Sequence, residues 1–538
     1  MVEGKQVVAA RGVIAAQPEE SARVGARILE RGGNAFDAAA ASALASCLLQ
    51  PQSTGITGYV MSAVVREGRT GEILSLDANS VAPAAAREDM YEILPASGDS
   101  TDLNSREYGC SVKGDANVHG PLAVGVPGMA AGIGTLWERW GRLKWEEIVA
   151  PAQALLEEGM PFGGTAGAVK SLEEVIRRYP ATAAQLLVDG RVPEPEDVMR
   201  RPGLDRTLAR MAEAGWRDIY EGELARRIVA AVQEAGGILT AEDMGSFRPR
   251  VTPTLMVTYR DATVHGCILP NGTLTTLQIL NMLEGFDPPG DDSVCYWHAL
   301  AEVLKLAWRD RLTYLTDPDF ADVPVERLLS KHYAAGRTER IRQYPEWVDD
   351  LPAKFPPGGA HGTLHLSAAD AEGNLVSATI TQGMALGACF VAGDTGLILS
   401  HGMCRFDPRP GRMNSVAPGK RPLNNTGTML IETPDRLIAT GLPGGRRIIN
   451  VMARVAQRFV DCGDDSLQAA EAPRMHVEAA EPLEVTESVG ENIADQLRAL
   501  GHEVNVVKGI AGCAHSAEVF RDGASPRAGG NCWAAGAD

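Results

Sequence analysis

The sequence predicts an α+β protein with mostly antiparallel sheet. Stretches of helical apolar spacing alternate with short β-branched runs, some of those runs face each other across tight turns, and strand-like runs become common after residue 363. At 538 residues with 45% apolar side chains, the chain is long enough for two domains or one large layered unit and too apolar for disorder.

Taken in order, Glu19 to Arg31 has helical spacing through Ala22, Val24, Ile28 and Leu29, and stops at Gly32-Gly33. Asn34 is placed to cap a second helix from Ala35 to Leu49, whose alanine density suits a buried element. Val60 to Arg66 and Glu72 to Leu76 read as strands around the turn at Gly68-Arg69-Thr70-Gly71. A glycine-rich passage, Gly120 to Gly134, leads into a helix from Gly132 to Trp140, and Leu224 to Glu234 is an amphipathic helix ended by Gly236-Gly237. Thr254 to Tyr259 and Ala262 to Ile268 form a predicted hairpin, followed by helices from Leu274 to Leu283 and from His298 to Tyr314. Pro345 to Gly362 is rich in proline and glycine and reads as an exposed segment. Beyond it, Thr363 to Leu366, Leu375 to Thr381, Gly396 to Leu399 and Met429 to Glu432 are strand-like. Ile448 to Val460 and Glu491 to Leu500 are helical, and Glu503 to Lys508 is a last strand.

Several function classes are disfavoured. A formal net charge of −18 lacks the basic footprint that nucleic acid or an anionic membrane requires, so neither is an expected partner. Val7-Val8-Ala9-Ala10 is broken by Arg11 and does not read as a secretory signal, and Ala38 to Leu49 is too short to span a bilayer. Nine scattered cysteines without a Cys-x-x-Cys pattern point to a reduced, cytoplasmic protein. The chain has no Gly-x-Ser-x-Gly elbow, no phosphate loop and no His-Glu-x-x-His helix, and its glycines at 125, 128, 132 and 134 lack the dinucleotide spacing. His361, His365 and His401 lack an Asp or Cys to complete a metal cluster, so neither metal nor cofactor is expected.

Two passages suggest chemistry: His361-Gly362-Thr363-Leu364-His365-Leu366-Ser367, and Gly441-Leu442-Pro443-Gly444-Gly445-Arg446-Arg447. A threonine hydroxyl is a weak nucleophile without an adjacent base. Cutting the Gly362–Thr363 bond would give Thr363 a free α-amine, whose ordinary pKa of about 7.7–8.0 suits a base near neutrality. The residues alone favour Thr363 as a plain strand residue and Gly444-Gly445 as a helix-start turn.

The chain resembles the γ-glutamyltransferase (γ-glutamyltranspeptidase) family of N-terminal-nucleophile hydrolases over nearly its whole length. The resemblance rests on Ile28-Leu29-Glu30-Arg31-Gly32-Gly33-Asn34-Ala35-Phe36-Asp37-Ala38-Ala39, Pro51-Gln52-Ser53, Gly125-Val126-Pro127-Gly128, Gly236 to Asp243, Leu277 to Phe286, Lys420-Arg421-Pro422-Leu423 and Pro443-Gly444-Gly445. It implies a proenzyme with a four-layer αββα sandwich, self-cleaved between Gly362 and Thr363. The products would be a large fragment (1–362) and a small one (363–538) that stay associated as one interlocked unit, with a homodimer left open. Thr363 would be the nucleophile, Thr381 its supporting threonine, and the Gly444 and Gly445 N–H groups the oxyanion donors.

The resemblance breaks at the residues that recognise glutamate. Asn79 stands where the family has an arginine for the substrate carboxylate, Asn424 and Asn425 replace a serine pair, and Arg405 and Gly383 replace the aspartate and asparagine that hold the α-ammonium. An arginine facing an ammonium is repulsive. The expected substrate is therefore a small amide whose acyl part lacks the ammonium: oxamate-like, a dicarboxylic monoamide, or glutaryl. The segment from Arg405 to Arg421 reads as too short for a long lid, which favours hydrolysis over transfer. The alternatives are a γ-glutamyl hydrolase or transferase acting on glutathione or γ-glutamyl amides, and a non-catalytic homologue.

Overall fold

A computed structural model describes residues 1–95, 108, 110–286, 290–343 and 361–538. The predicted exposed segment before Gly362 thus lies, up to residue 360, outside the described residues. Thirteen strands make the main sheet: β1 (Val2–Val8), β2 (Gly12–Ala16), β3 (Val60–Arg66), β4 (Ile73–Asn79), β5 (Arg250–Pro253), β6 (Leu255–Tyr259), β7 (Ala262–Gly266), β8 (His361–Asp370), β9 (Leu375–Met384), β10 (Met429–Glu432), β11 (Arg436–Gly441), β12 (His515–Phe520) and β13 (Arg527–Ala537). Their order is β5-β4-β3-β9-β8-β2-β13-β12-β11-β10-β7-β6, with β1 also paired to β13. Every ladder in this sheet is antiparallel.

The sheet folds over, so that β8 and β9 lie against β11 and β12 although they are far apart on the ladder. Alternation along the strands sorts side chains into three apolar layers. Val13, Ala15, Val64, Leu375, Leu430 and Ala439 fill the space between the two halves. Their neighbours Ile14, Ala16, Ala63 and Val376 face outward to a helical layer that includes α1 (Glu19–Glu30), α2 (Ala35–Leu49), α3 (Met129–Trp140) and α4 (Trp145–Glu158). On the opposite side Ile431 and Ile438 pack on α5 (Thr273–Leu283), α6 (Val294–Tyr314) and α7 (Arg447–Asp461). Helix, sheet, sheet, helix is the αββα order.

The middle layer is thin. Hydroxyls cross it: Ser377 Oγ donates to Thr440 O at 2.8 Å, and Ser367 Oγ donates to His515 O at 3.1 Å. Small residues are what let the halves approach this closely.

The passage at the start of α2 is structural in its details. Asn34 caps α2 by accepting from Phe36 and Asp37 N–H, while the Asp37 carboxylate takes the Asn34, Arg142 and Leu143 N–H groups. Asp370, at the end of β8, accepts from Ala35 N–H at 2.9 Å, tying this cap to the strand that carries Thr363. Among the described residues no helix is long and apolar enough to cross a membrane.

The cysteine expectation needs correction. Cys513 and Cys532 are joined in a disulfide with Cα atoms 5.7 Å apart, because the antiparallel register that pairs His515 with Gly530 sets the residue two before β12 opposite Cys532 on β13, across a 19-residue separation. Seven cysteines stay free.

Candidate active site

Thr363 lies on β8 at a break in register with β9. Gly362 pairs with Gly383 and Thr363 with Thr381, so Gln382 is an extra residue on β9, a bulge that bends the ladder beside the Gly362–Thr363 bond. The Pro51-Gln52-Ser53 passage presses on this point: a Cβ on Gly362 would sit 2.4 Å from Gln52 O. Only glycine fits there.

The Thr381 hydroxyl is the hub. It lies 3.0 Å from Thr363 Oγ1, accepts the Gly383 N–H at 2.7 Å, and donates to the Gly362 carbonyl. A hydroxyl has one proton and two acceptor sites. With its proton on Gly362 O and one lone pair on Gly383 N–H, its remaining lone pair accepts the Thr363 hydroxyl proton. The same side chain therefore orients the Thr363 hydroxyl and polarises the carbonyl preceding it.

Two hollows meet at Thr363. The smaller, about 10 Å³ and so room for about one water, is bordered by Tyr59, Thr381, Gly383, Arg405, Asn425 and Gly445, with Thr426 and Ile448. The wider one, about 370 Å³, is bordered by Gln17, Gln50, Ser53, Gly444, Arg447 and the 509–513 loop. Gly444 (φ 150°) thus borders the wider hollow and Gly445 (φ 61°) the smaller, in backbone conformations that favour glycine. A Cβ on Gly444 would also lie 2.5 Å from Ala511 Cβ. Helix α7 starts just after them, so its N-terminal, positive dipole end lies beside these glycines.

No Asp or Glu borders either hollow among the described residues, whereas two arginines do. Arg447 is held bidentately by Glu484 at 2.8 Å. Arg405 is buried, and its guanidinium carbon is 5.6 Å from the Tyr59 ring centre. Its carbonyl is fixed by Tyr108 Oη at 2.6 Å and Asn414 Nδ2 at 2.7 Å. Gly383 (φ 96°) leaves room for this side chain: a Cβ there would come 3.0 Å from Arg405 Nη2 and 2.4 Å from His401 Nε2. Burial, reinforced by Arg405, pushes the His401 pKa well below its ordinary range, so the ring is neutral and accepts Met384 N–H at 2.9 Å.

Of the sequence-predicted residues, the fold gathers Gly362, Thr363, Thr381, Gly383, Arg405, Asn425, Gly444 and Gly445 at one place. Asn79 and Asn424 are not brought to it. Asn79 Nδ2 donates to Pro422 O at 2.7 Å, and Asn424 is spent on Asn271 (3.0 Å) and Thr426 (2.6 Å). Both brace the 422–426 loop from behind. Arg311 fixes the same loop, donating to Asn424 O at 2.7 Å and Asn425 Oδ1 at 2.8 Å. Nor do His365 and His401 form a metal set. His365 bonds to Thr379 and Ser367, His401 serves Met384, and the His361 side chain is outside the described residues. Tyr59, Thr426 and the 509–513 loop were not foreseen; a lone tyrosine before a strand gives no signal, and the loop has no motif.

The αββα layering with a threonine at a strand bulge between two hollows defines an N-terminal-nucleophile amidohydrolase fold. The chain belongs to the γ-glutamyltranspeptidase family, whose model, described as Gamma-glutamyltranspeptidase, matches residues 21–538. It is 34% identical over 544 residues to the "Acylase ACY 1 proenzyme" of Pseudomonas sp. (strain V22), covering 99% of this chain and 94% of that protein. It is 30% identical to the "Glutathione hydrolase proenzyme" of Escherichia coli (strain K12), covering 96% and 90%. Among solved structures, a cephalosporin acylase from Bacillus halodurans superposes with TM-score 0.84 at 27% identity, covering 99% of this chain and 97% of that one.

Proposed function

We propose that this protein is a self-cleaving proenzyme whose mature form hydrolyses a small amide through a Thr363 acyl-enzyme. The observation that carries the reading is Thr381, which touches both the Thr363 hydroxyl and the Gly362 carbonyl, the two groups that must react. In the precursor Thr363 Oγ1 attacks the Gly362 carbonyl carbon. The peptide C–N bond breaks as the ester forms, and the proton passes to the released Thr363 nitrogen. Water then hydrolyses the ester, leaving fragments 1–362 and 363–538.

In the mature enzyme the Thr363 amine takes the hydroxyl proton as the oxygen attacks the substrate amide. The Gly444 and Gly445 N–H groups stabilise the tetrahedral oxyanion, a contribution of about 2.7–4 kcal/mol per donor in comparable sites. The amine returns the proton to the leaving nitrogen, and water completes the cycle. The acyl group is one that carries a carboxylate or carbonyl toward Arg405 and Asn425 and no ammonium, of glutaryl, dicarboxylic-monoamide or oxamate type. A cleft bordered by arginine, with no carboxylate among the described residues that line it, supports this.

The test has two arms. On a denaturing gel the wild-type chain resolves into two bands, and Thr363→Ala stays at 57.1 kDa; a stable single wild-type band refutes self-cleavage. For the mature enzyme, glutaryl-p-nitroanilide is hydrolysed at least about tenfold faster than γ-glutamyl-p-nitroanilide, and Arg405→Asp lowers the glutaryl rate without raising the γ-glutamyl one, a tenfold change being about 1.4 kcal/mol. A preference for the γ-glutamyl compound refutes the substrate assignment alone.

A further inference from the structure

On the outer helical layer, away from Thr363, lies a buried polar cluster that the proposed chemistry leaves unused. His298 and Glu302 stand one turn apart on α6 and share a face. His502, just after the helix Glu491–Ala499, faces them, with His298 Nδ1 and His502 Nε2 2.8 Å apart. One ligand-type atom from each of His298, Glu302 and His502 lies within 4.8 Å of the others, and all three residues are buried.

We propose that His298, Glu302 and His502 form a binding site for a divalent transition-metal cation of the zinc type. Two imidazoles and one carboxylate are a donor set suited to zinc, with a water completing four-coordination. The His502 Nδ1 side is already arranged for this: it meets the Glu481 carboxylate at 2.8 Å, the carboxylate–histidine pairing that fixes the tautomer and turns the Nε2 lone pair toward the metal. Metal bonds of about 2.0–2.1 Å need the two facing nitrogens about 3.3 Å apart, an opening of roughly 0.5 Å.

A second observation points the same way. His298 Nε2 and Glu481 Oε2 are buried and have no hydrogen-bond partner, so the protein groups of the cluster do not satisfy one another fully. Lys305 bonds Glu302 at 2.6 Å and Glu481 at 2.9 Å, but one ammonium against two carboxylates leaves a negative balance when the histidines are neutral. A bound cation reverses that balance. It also joins α6 to the C-terminal segment 481–502, and the far end of α6 carries Arg311, which holds the cleft-lining Asn425.

The experiment uses untagged full-length protein, stripped with a chelator and dialysed. Titration with Zn²⁺ alone is expected to show one saturable equivalent per chain. Co²⁺ in its place is expected to give the visible absorption of a low-coordinate nitrogen–oxygen site. His298→Ala and His502→Ala each abolish the equivalent, and Glu481→Gln weakens it about 10–100-fold. A wild-type protein that takes up no saturable equivalent, with water alone satisfying the cluster, overturns the proposal. So does undiminished binding in the His298→Ala/His502→Ala double variant. Should an alanine variant fail to fold, the wild-type stoichiometry and the Glu481→Gln affinity decide the matter.

Discussion

Thr381→Val is the most exacting perturbation of the proposed cleavage. Valine keeps the branched shape and removes one oxygen, and with it three contacts: the donation to Gly362 O, the acceptance from Thr363 Oγ1 and the acceptance from Gly383 N–H. The first acts on the carbonyl that becomes an oxyanion when Thr363 attacks. Losing one such donor costs about 2.7–4 kcal/mol of transition-state stabilisation, or roughly 10²–10³ in rate. The second loss frees the Thr363 hydroxyl to rotate and adds to the deficit. The third strands a buried N–H at a cost of about 1–3 kcal/mol in folding stability. The assay is the first-order disappearance of the 57.1 kDa precursor on a denaturing gel, with a thermal melt alongside to separate slow chemistry from unfolding. Thr381→Val should cleave at least about 100-fold more slowly than wild type with a lower melting point, while Thr381→Ser should recover most of the rate. Cleavage of the valine variant within a few-fold of wild type would refute the assignment of Thr381 as the group that activates both partners.

Two further outcomes are expected. Gly383→Ala places a Cβ 2.4 Å from His401 Nε2 at φ 96°, so it should lose more than about 1 kcal/mol of stability and displace Arg405; a denaturant midpoint equal to wild type would count against this packing. Acid should destabilise the fold through its buried neutral histidines: burial lowers His515 from 6.5 to about 4, and lowers His365 and His401 in the same direction. Between those pH values the unfolded chain binds a proton that the folded chain refuses. This contribution is therefore complete above about pH 6.5 and is lost as pH falls toward 4, with His515 alone accounting for roughly 2 kcal/mol at pH 5. Denaturant titrations at pH 7, 6 and 5 should show the slope, and His515→Gln should flatten it; an unchanged slope would remove His515 from the account.

What the sequence disclosed follows from where each element sits. Helix α2 and strands β3 and β10 appear within the limits read from the sequence, since a capping asparagine or a β-branched run marks their ends. Strands β12 and β13 were missed. The latter reads Arg-Ala-Gly-Gly-Asn-Cys-Trp-Ala-Ala-Gly-Ala, with almost nothing that favours a strand by itself. Its place explains the composition: Ala528 and Ala534 face the thin layer between the sheet halves and Ala535 and Ala537 the outer layer, where tight packing outweighs propensity. Cys513 and Cys532 were read as unpaired for the same reason, because the ladder that joins them could not be seen. The His298–Glu302 spacing was visible, but its partner His502 lies 200 residues beyond.

The substituted positions around the cleft behave as one set rather than as separate losses. Gly383 is a glycine whose missing Cβ makes room for both His401 and Arg405. Asn79 binds Pro422 O and Asn424 binds Asn271, so these side chains hold the 422–426 loop instead of facing the cleft. That bracing, with Arg311 on Asn425, fixes the one asparagine of the group that borders Thr363. Returning an aspartate at 405 alone would therefore not rebuild a site for an amino acid. It would put a carboxylate beside the neutral His401 ring and Tyr59, with Asn79 and Asn424 still engaged elsewhere. In the proposed reading the charge at 405 selects against an ammonium, and the shape that would accept an acyl group is set jointly by 383, 401, 405 and 425.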